Sequence, residues 1–157
     1  MLGKQAKVLT DRQERMVLSY LSTTRRPIRN RVIFLLSVKS GLRAKEIAGL
    51  TWSMVLTATN DVADEIALES VAAKGSSGRK IPMNKSLRIA LEQLAEKVDI
   101  NHSGRVVTSE RSKQMKPQSV VNLFQRWYRD VGLEGCSSHS GRRTFITNLS
   151  RNITRVG

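Results

Sequence analysis

The chain has 157 residues, 39% of them hydrophobic, which suits one globular domain with a real core and excludes an intrinsically disordered segment. Its 27 lysines and arginines against 13 acidic residues leave a formal net charge of +14, a balance that attracts polyanions, nucleic acid ahead of a membrane surface. The longest strongly apolar run, Val32-Ile33-Phe34-Leu35-Leu36, is too short to span a bilayer, the first residues carry no signal-like apolar stretch, and the single cysteine, Cys136, excludes an internal disulfide, so a cytoplasmic setting is expected.

Thr10-Asp11-Arg12-Gln13 reads as a capping box and opens a helix to about residue 22, with Met16, Val17 and Tyr20 on one face. Pro27 suits the first turn of a second helix that turns Ile28, Val32, Leu35 and Leu36 inward and ends near Gly41. A short third helix is expected over residues 44–50. The period then changes: residues 52–55, 65–68 and 79–83 read as short strands, and Gly75-Ser76-Ser77-Gly78 closes the last two as a hairpin. A helix from about residue 85 to 97 carries Leu87, Leu91, Leu94 and Val98 on one face. Val106-Val107 is a candidate brief strand, Pro117 opens a helix to about residue 131 with Val120, Val121, Phe124 and Trp127 inward, and a last helix runs from about residue 140 toward 150. The sum is one α+β domain over residues 1–157, mostly helical, with a small antiparallel sheet between two helical halves.

The charge is uneven. Residues 1–45 hold eleven basic side chains against two acidic ones, residues 74–88 hold five basic and none acidic, and residues 139–157 hold four arginines and no acid. Three clusters lie in these stretches. In Ser40-Gly41-Leu42-Arg43-Ala44-Lys45-Glu46, Arg43 stands at a helix start and Glu46 three residues on, so the two can meet on one helical face. A guanidinium oriented by a carboxylate suits two phosphate oxygens, and such a pair is equally an ordinary surface ion pair. Lys74-Gly75-Ser76-Ser77-Gly78-Arg79-Lys80 places a lysine at a hairpin tip; the glycine spacing is too short for a Walker loop, and it matches the letters of a KH-type GXXG loop without the flanking helices. In Ser138-His139-Ser140-Gly141-Arg142-Arg143-Thr144, His139 and Arg142 share a helical face. One cysteine and two histidines do not make a conventional structural zinc site, and the acidic stretch from Asp61 to Glu69 reads as a solvated hairpin.

Together the clusters resemble the tyrosine recombinases, also called phage integrases. Gly41-Leu42-Arg43-Ala44-Lys45-Glu46 with Ile47, Leu50 and Trp52 is similar to the segment that carries the family's first arginine. Lys74 before Arg79-Lys80-Ile81-Pro82 is similar to its hairpin lysine, and His139-Ser140-Gly141-Arg142 to its His-x-x-Arg motif, with Gly141 at a position more often apolar. The resemblance implies a recombinase catalytic-domain fold and DNA strand breakage and rejoining without a metal or cofactor. It implies Arg43, Lys74, His139 and Arg142 as catalytic residues, with Glu46 orienting Arg43. It implies double-stranded DNA as partner, further recombinase subunits on that DNA, no membrane partner and a bacterial cytoplasmic setting at the nucleoid. Family members continue to a second His or Trp and a nucleophilic tyrosine. The only tyrosines here, Tyr20 and Tyr128, lie upstream on apolar helix faces, so the expectation is a catalytic domain lacking its C-terminal end and without a separate N-terminal core-binding domain. The alternative is a non-catalytic DNA-binding regulator or remnant that occupies recombination sites.

Overall fold

The computed structural model describes residues 6–69 and 78–156, with the side chains of the last helix described to residue 152. Among the described residues, six α-helices and one two-stranded sheet follow in chain order. Helix α1 (Asp11–Leu21) opens on the expected capping box: the Gln13 N–H donates to Thr10 Oγ1 at 3.1 Å and the Thr10 N–H to Gln13 Oε1 at 2.9 Å. Its inward stripe is Glu14, Val17 and Leu21, so Met16, expected on that face, is turned outward and is 41% exposed. Glu14 is tolerated inside because Lys39 Nζ lies 2.9 Å from its carboxylate.

Helix α2 (Pro27–Val38) is the centre of the fold. Every residue from Val32 to Val38 is buried, so the last two turns of this helix have no solvent face, and it packs against α1, α3 (Ala44–Gly49), α4 (Lys85–Ala95) and α6 (Ser138–Val156). Each apolar side chain among them removed from water is worth about 1.5–3 kcal/mol. Arg29 is buried at its N-terminal end, where Nη1 donates to the Thr108 carbonyl at 2.9 Å and Nε to Asn30 Oδ1 at 3.0 Å; burial and the neighbouring Arg26 charge pull it down to about 10.

The middle of the chain departs from expectation. Residues Trp52–Met54 form a single 3-10 turn, held by Met54 N–H to Thr51 O at 3.0 Å and Val55 N–H to Trp52 O at 3.1 Å, where a strand was predicted. Residues 104–106 cross this turn through the Trp52 N–H to Gly104 O and Val106 N–H to Leu50 O bonds, and the strand expected at Val106-Val107 reduces to one isolated bridge, Thr51 with Arg105. These residues are apolar because the core covers them, with Trp52 3%, Val106 4% and Val107 0% exposed, and a short apolar run does not separate strand from buried turn. The sheet is β1 (Glu65–Leu68) against β2 (Arg79–Pro82), antiparallel, with Glu65 opposite Pro82 and Leu68 opposite Arg79. Ile66, Leu68 and Ile81 face inward, as the period of two requires. The hairpin tip predicted at residues 75–78 falls mostly outside the described residues, as does Lys74.

Asn84 caps α4 by accepting the Leu87 N–H at 3.1 Å, and Leu87, Ala90, Leu91 and Leu94 are buried. The helix ends at Ala95, two residues short of expectation, which leaves Val98 outside it and 43% exposed. Helix α5 (Pro117–Asp130) buries Val120, Phe124, Trp127 and Tyr128, with the Phe124 ring 5.3 Å from Trp127 and 6.0 Å from Tyr128. Helix α6 starts two residues earlier than expected, because two serine hydroxyls cap its first turn: the Ser137 N–H donates to Ser140 Oγ at 2.9 Å and the His139 N–H to Ser137 Oγ at 3.2 Å.

Two glycines set the contact between α2 and α6. Gly41 ends α2 with φ +69°, in the pattern of Leu42 N–H to Leu36 O at 3.1 Å and Gly41 N–H to Ser37 O at 3.0 Å. A Cβ at Gly41 would stand 2.6 Å from the Phe145 ring of α6, and a Cβ at Gly141 would stand 1.8 Å from Ser37 Oγ on α2. No side chain fits at Gly141 without parting the two helices. Gly141→Ala is expected to lower stability by about 1–3 kcal/mol, measured by urea unfolding, with part of the loss recovered when Ser37→Gly is added. An unchanged midpoint for Gly141→Ala would contradict this packing.

Candidate active site

The α2–α6 contact brings the first and third sequence clusters together. Arg142, one turn into α6, donates from Nη1 to the Gly41 carbonyl at 3.0 Å across a separation of 101 residues. Arg43 lies two residues beyond Gly41, at the N-cap of α3 in an extended conformation, with its side chain exposed. Burial, and then the charges of Arg43 and Arg79, pull the Arg142 guanidinium below its ordinary value, with Glu46 opposing. The charges of Arg43 and Arg79 thus act against that of Arg142 with Glu46 as the opposing carboxylate, and an anion among them would relieve their mutual repulsion. His139 stands in the first turn of α6, three residues before Arg142, with its ring exposed. The structure therefore groups Arg43, Glu46 and Arg142, places His139 one helical turn before Arg142, and leaves Lys74 outside the described residues.

Glu46 is engaged differently from the expected side-chain pair with Arg43. Its Oε1 accepts the Arg43 backbone N–H at 2.9 Å, which caps the short helix α3. Its ion pair is with Arg79 of β2, whose Nη1 lies 2.6 Å from Oε2 and Nη2 3.0 Å from Oε1, a two-pronged contact. Partial burial works to raise the Glu46 carboxyl, but the Arg79 and Arg43 hydrogen bonds and both arginine charges outweigh it and hold the group below the usual carboxylate range. Arg79 is the residue that sequence reasoning left outside the site. Its place at the start of an Arg-x-x-Pro run was visible, but nothing in one sequence pairs it with a carboxylate 33 residues away.

Neither tyrosine is near this cluster by its contacts. The Tyr20 hydroxyl donates to Asp130 Oδ2 at 2.6 Å, and that hydrogen bond, with burial, raises its pKa. Tyr128 is 1% exposed, packed between Phe34 and Phe124, and burial raises its hydroxyl strongly. Among the described residues no group of three His, Cys, Asp or Glu side chains could hold a metal, and no helix is long and apolar enough to cross a membrane.

The segment that enters α1 is tied to the same helix that carries Arg142. Arg143 Nη1 donates to the Ala6 carbonyl at 2.9 Å, the Leu9 N–H donates to Thr144 Oγ1 at 2.8 Å, and the Lys7 N–H to the Gly135 carbonyl at 3.2 Å. The two residues that follow Arg142 in α6 thus bond the entering chain, while Arg142 itself bonds the Gly41 carbonyl.

Comparison with known proteins bears on the family and the fold. The Phage integrase family model matches residues 7–155. The tyrosine recombinase XerA of Thermococcus onnurineus is 29% identical over 149 residues, covering 93% of this chain and 49% of that protein. Among solved structures, a XerA recombinase superposes with a TM-score of 0.74 at 20% identity, over 92% of this chain and 51% of that one. The Tn1549 transposon integrase in complex with a circular intermediate DNA superposes at 0.70 and 20% identity, over 94% of this chain and 54% of that one. The XerH recombinase bound to its difH substrate superposes at 0.70 and 16% identity, over 93% and 43%. These likenesses show the recombinase catalytic-domain fold, and the chain spans about half the length of the relatives it matches.

The depressed Glu46 pKa gives a pH prediction. A carboxyl whose pKa is lower folded than unfolded contributes stability that is present above the unfolded value and lost as pH falls through the folded one. The stability gap between the parent chain and Glu46→Gln is therefore expected at about pH 6 and should fade through the acid range below about pH 4.3. Both partners are partly exposed, so the gap is about 1 kcal/mol or less. Urea unfolding across that range measures it, and a gap independent of pH would refute the charge pairing.

Proposed function

The chain belongs to the phage integrase family, and we propose that it forms the phosphate-holding part of a DNA strand-transfer site that acts on double-stranded DNA in integration and recombination. The observation that carries the reading is the meeting of Arg142 with the Gly41–Arg43 segment, which gathers cations from far apart in the chain in a molecule of net charge +14. Support comes also from relatives whose solved structures hold DNA.

In this reading a tyrosine oxygen attacks the scissile phosphorus, the bond to the 5′ oxygen breaks, and the phosphate becomes esterified to the tyrosine. Arg43 and Arg142 hold the two non-bridging oxygens as negative charge builds on them, which fixed cations accomplish without a metal. Lys74 delivers the proton to the leaving 5′ oxygen, and His139 hydrogen-bonds the phosphate or passes a proton. The attacking tyrosine is neither Tyr20 nor Tyr128, whose hydroxyls are engaged or buried. By these residues alone the chain binds DNA and does not cleave it; further recombinase subunits share the DNA, in a bacterial cytoplasm at the nucleoid. The engagement of both tyrosines also favours a second reading, a non-catalytic regulator that occupies recombination sites.

Duplex binding by fluorescence anisotropy tests the phosphate-led reading. Affinity is expected to fall steeply with salt, and Arg142→Ala to weaken binding about tenfold or more and flatten the log–log salt slope by about 1. Exposed Lys97→Ala serves as the control. Affinity that ignores salt, or equal effects of the two substitutions, would defeat the reading. A covalent adduct trapped by this chain alone on a nicked suicide duplex would show that it carries its own nucleophile.

A further inference from the structure

Arg79 is not among the four expected catalytic residues, yet it makes a two-pronged side-chain contact in the cluster. Both of its η nitrogens meet the Glu46 carboxylate, at 2.6 and 3.0 Å. Glu46 Oε1 is shared: it takes Arg79 Nη2 and also the Arg43 backbone N–H, at 2.9 Å. One carboxylate therefore joins β2 to the first residue of the Arg43 helix. That helix has six residues and no side-chain hydrogen bond from its N-cap, so Glu46 supplies its N-terminal anchor. At the other end of the link, Arg79 is the first residue of β2, paired with Leu68, and directly follows the segment of the chain that contains Lys74.

We propose that Arg79 is a positioning residue: by gripping Glu46 with both prongs it locks the β-hairpin to the start of α3, so that Arg43 and the hairpin are held as one body. Its purpose rests on the strand-transfer reading above, in which Arg43 and the hairpin lysine serve one phosphate. Two alternatives give different results. As an ordinary surface ion pair, the contact would contribute little and tolerate exchange of the two charges. As a direct phosphate contact, Arg79 would have to release Glu46 to reach DNA. A lysine in its place keeps the charge but not the planar fork.

The test uses the full chain and two readouts. The first, independent of DNA, is amide hydrogen exchange of the Arg43 N–H by NMR. Arg79→Ala is expected to speed it about tenfold while amides of α2 keep their protection, and Arg79→Lys to fall between. Exchanging the charges, with Arg79→Glu and Glu46→Arg together, is expected not to restore protection, because an arginine at position 46 cannot accept the Arg43 N–H. The second readout is duplex affinity: the loss from Arg79→Ala is expected to vanish in an Arg43→Ala background. Unchanged Arg43 exchange in Arg79→Ala, or full restoration by the charge exchange, overturns the proposal. Additive losses with a further flattening of the salt slope also overturn it and make Arg79 a phosphate contact. If the parent chain binds no DNA, the strand-transfer reading fails while the exchange readout still decides whether Arg79 positions Arg43.

Discussion

Arg142 reaches the Gly41 carbonyl because two glycines allow α6 to lie directly against the end of α2, and the rest of the cationic cluster is arranged around that approach. Gly41 does two things there. Its positive φ stops α2 with the last carbonyls satisfied, and its missing side chain leaves space for Phe145. Gly141 removes the side chain that would otherwise strike Ser37. A residue more often apolar at position 141 would demand a wider helix separation than this α2–α6 contact permits. The unusual glycine is thus matched to its neighbour on α2, and close packing turns one missing methylene into a constraint on where Arg142 sits.

Around that contact the charges are organised by scarcity of acid. Three guanidiniums share one carboxylate, and that carboxylate is occupied by Arg79 and by a backbone N–H. Arg43 keeps an exposed side chain and Arg142 has one hydrogen bond to a carbonyl, which leaves donor capacity on both. A site that neutralised all three cations internally would have little field left for a phosphate. Burial of Arg142 adds to this, since a partly desolvated guanidinium gains more from an anion than a solvated one does. The central helix supplies the rigidity: α2 is buried all round from Val32 to Val38, so its C-terminal end has few ways to shift when charge arrives.

Much of this was legible in the residues. The capping box at Thr10, the proline at the start of α2, the glycine stop at Gly41 and the period-two alternation of β1 and β2 are local devices, and each appears where local physics puts it. Errors fell where burial overrode period. Trp52, Val106 and Val107 look strand-like and are apolar because a turn and a crossing segment are covered by the core. Met16 and Val98 were assigned inward because a helical stripe was drawn one residue off or one turn too long. A spacing of three suggests Glu46 as the side-chain partner of Arg43; its contacts are with the Arg43 backbone and the Arg79 fork.

The sequence by itself determined the starts of α1 and α2, the large positive charge and the three short motifs whose order marks the family, because each depends on neighbours within a few residues or on a sum over the chain. Only the tertiary structure decided that Arg142 meets the Gly41–Arg43 segment, that Arg79 holds Glu46, and that both tyrosines are engaged in packing. Those contacts join residues 33 to 110 positions apart, and each follows from how helices and a hairpin close on one another. No local rule encodes such distances; the Arg142 contact is set when α6 settles on α2 with no room to spare, and the others when β2 meets α3 and α1 meets α5.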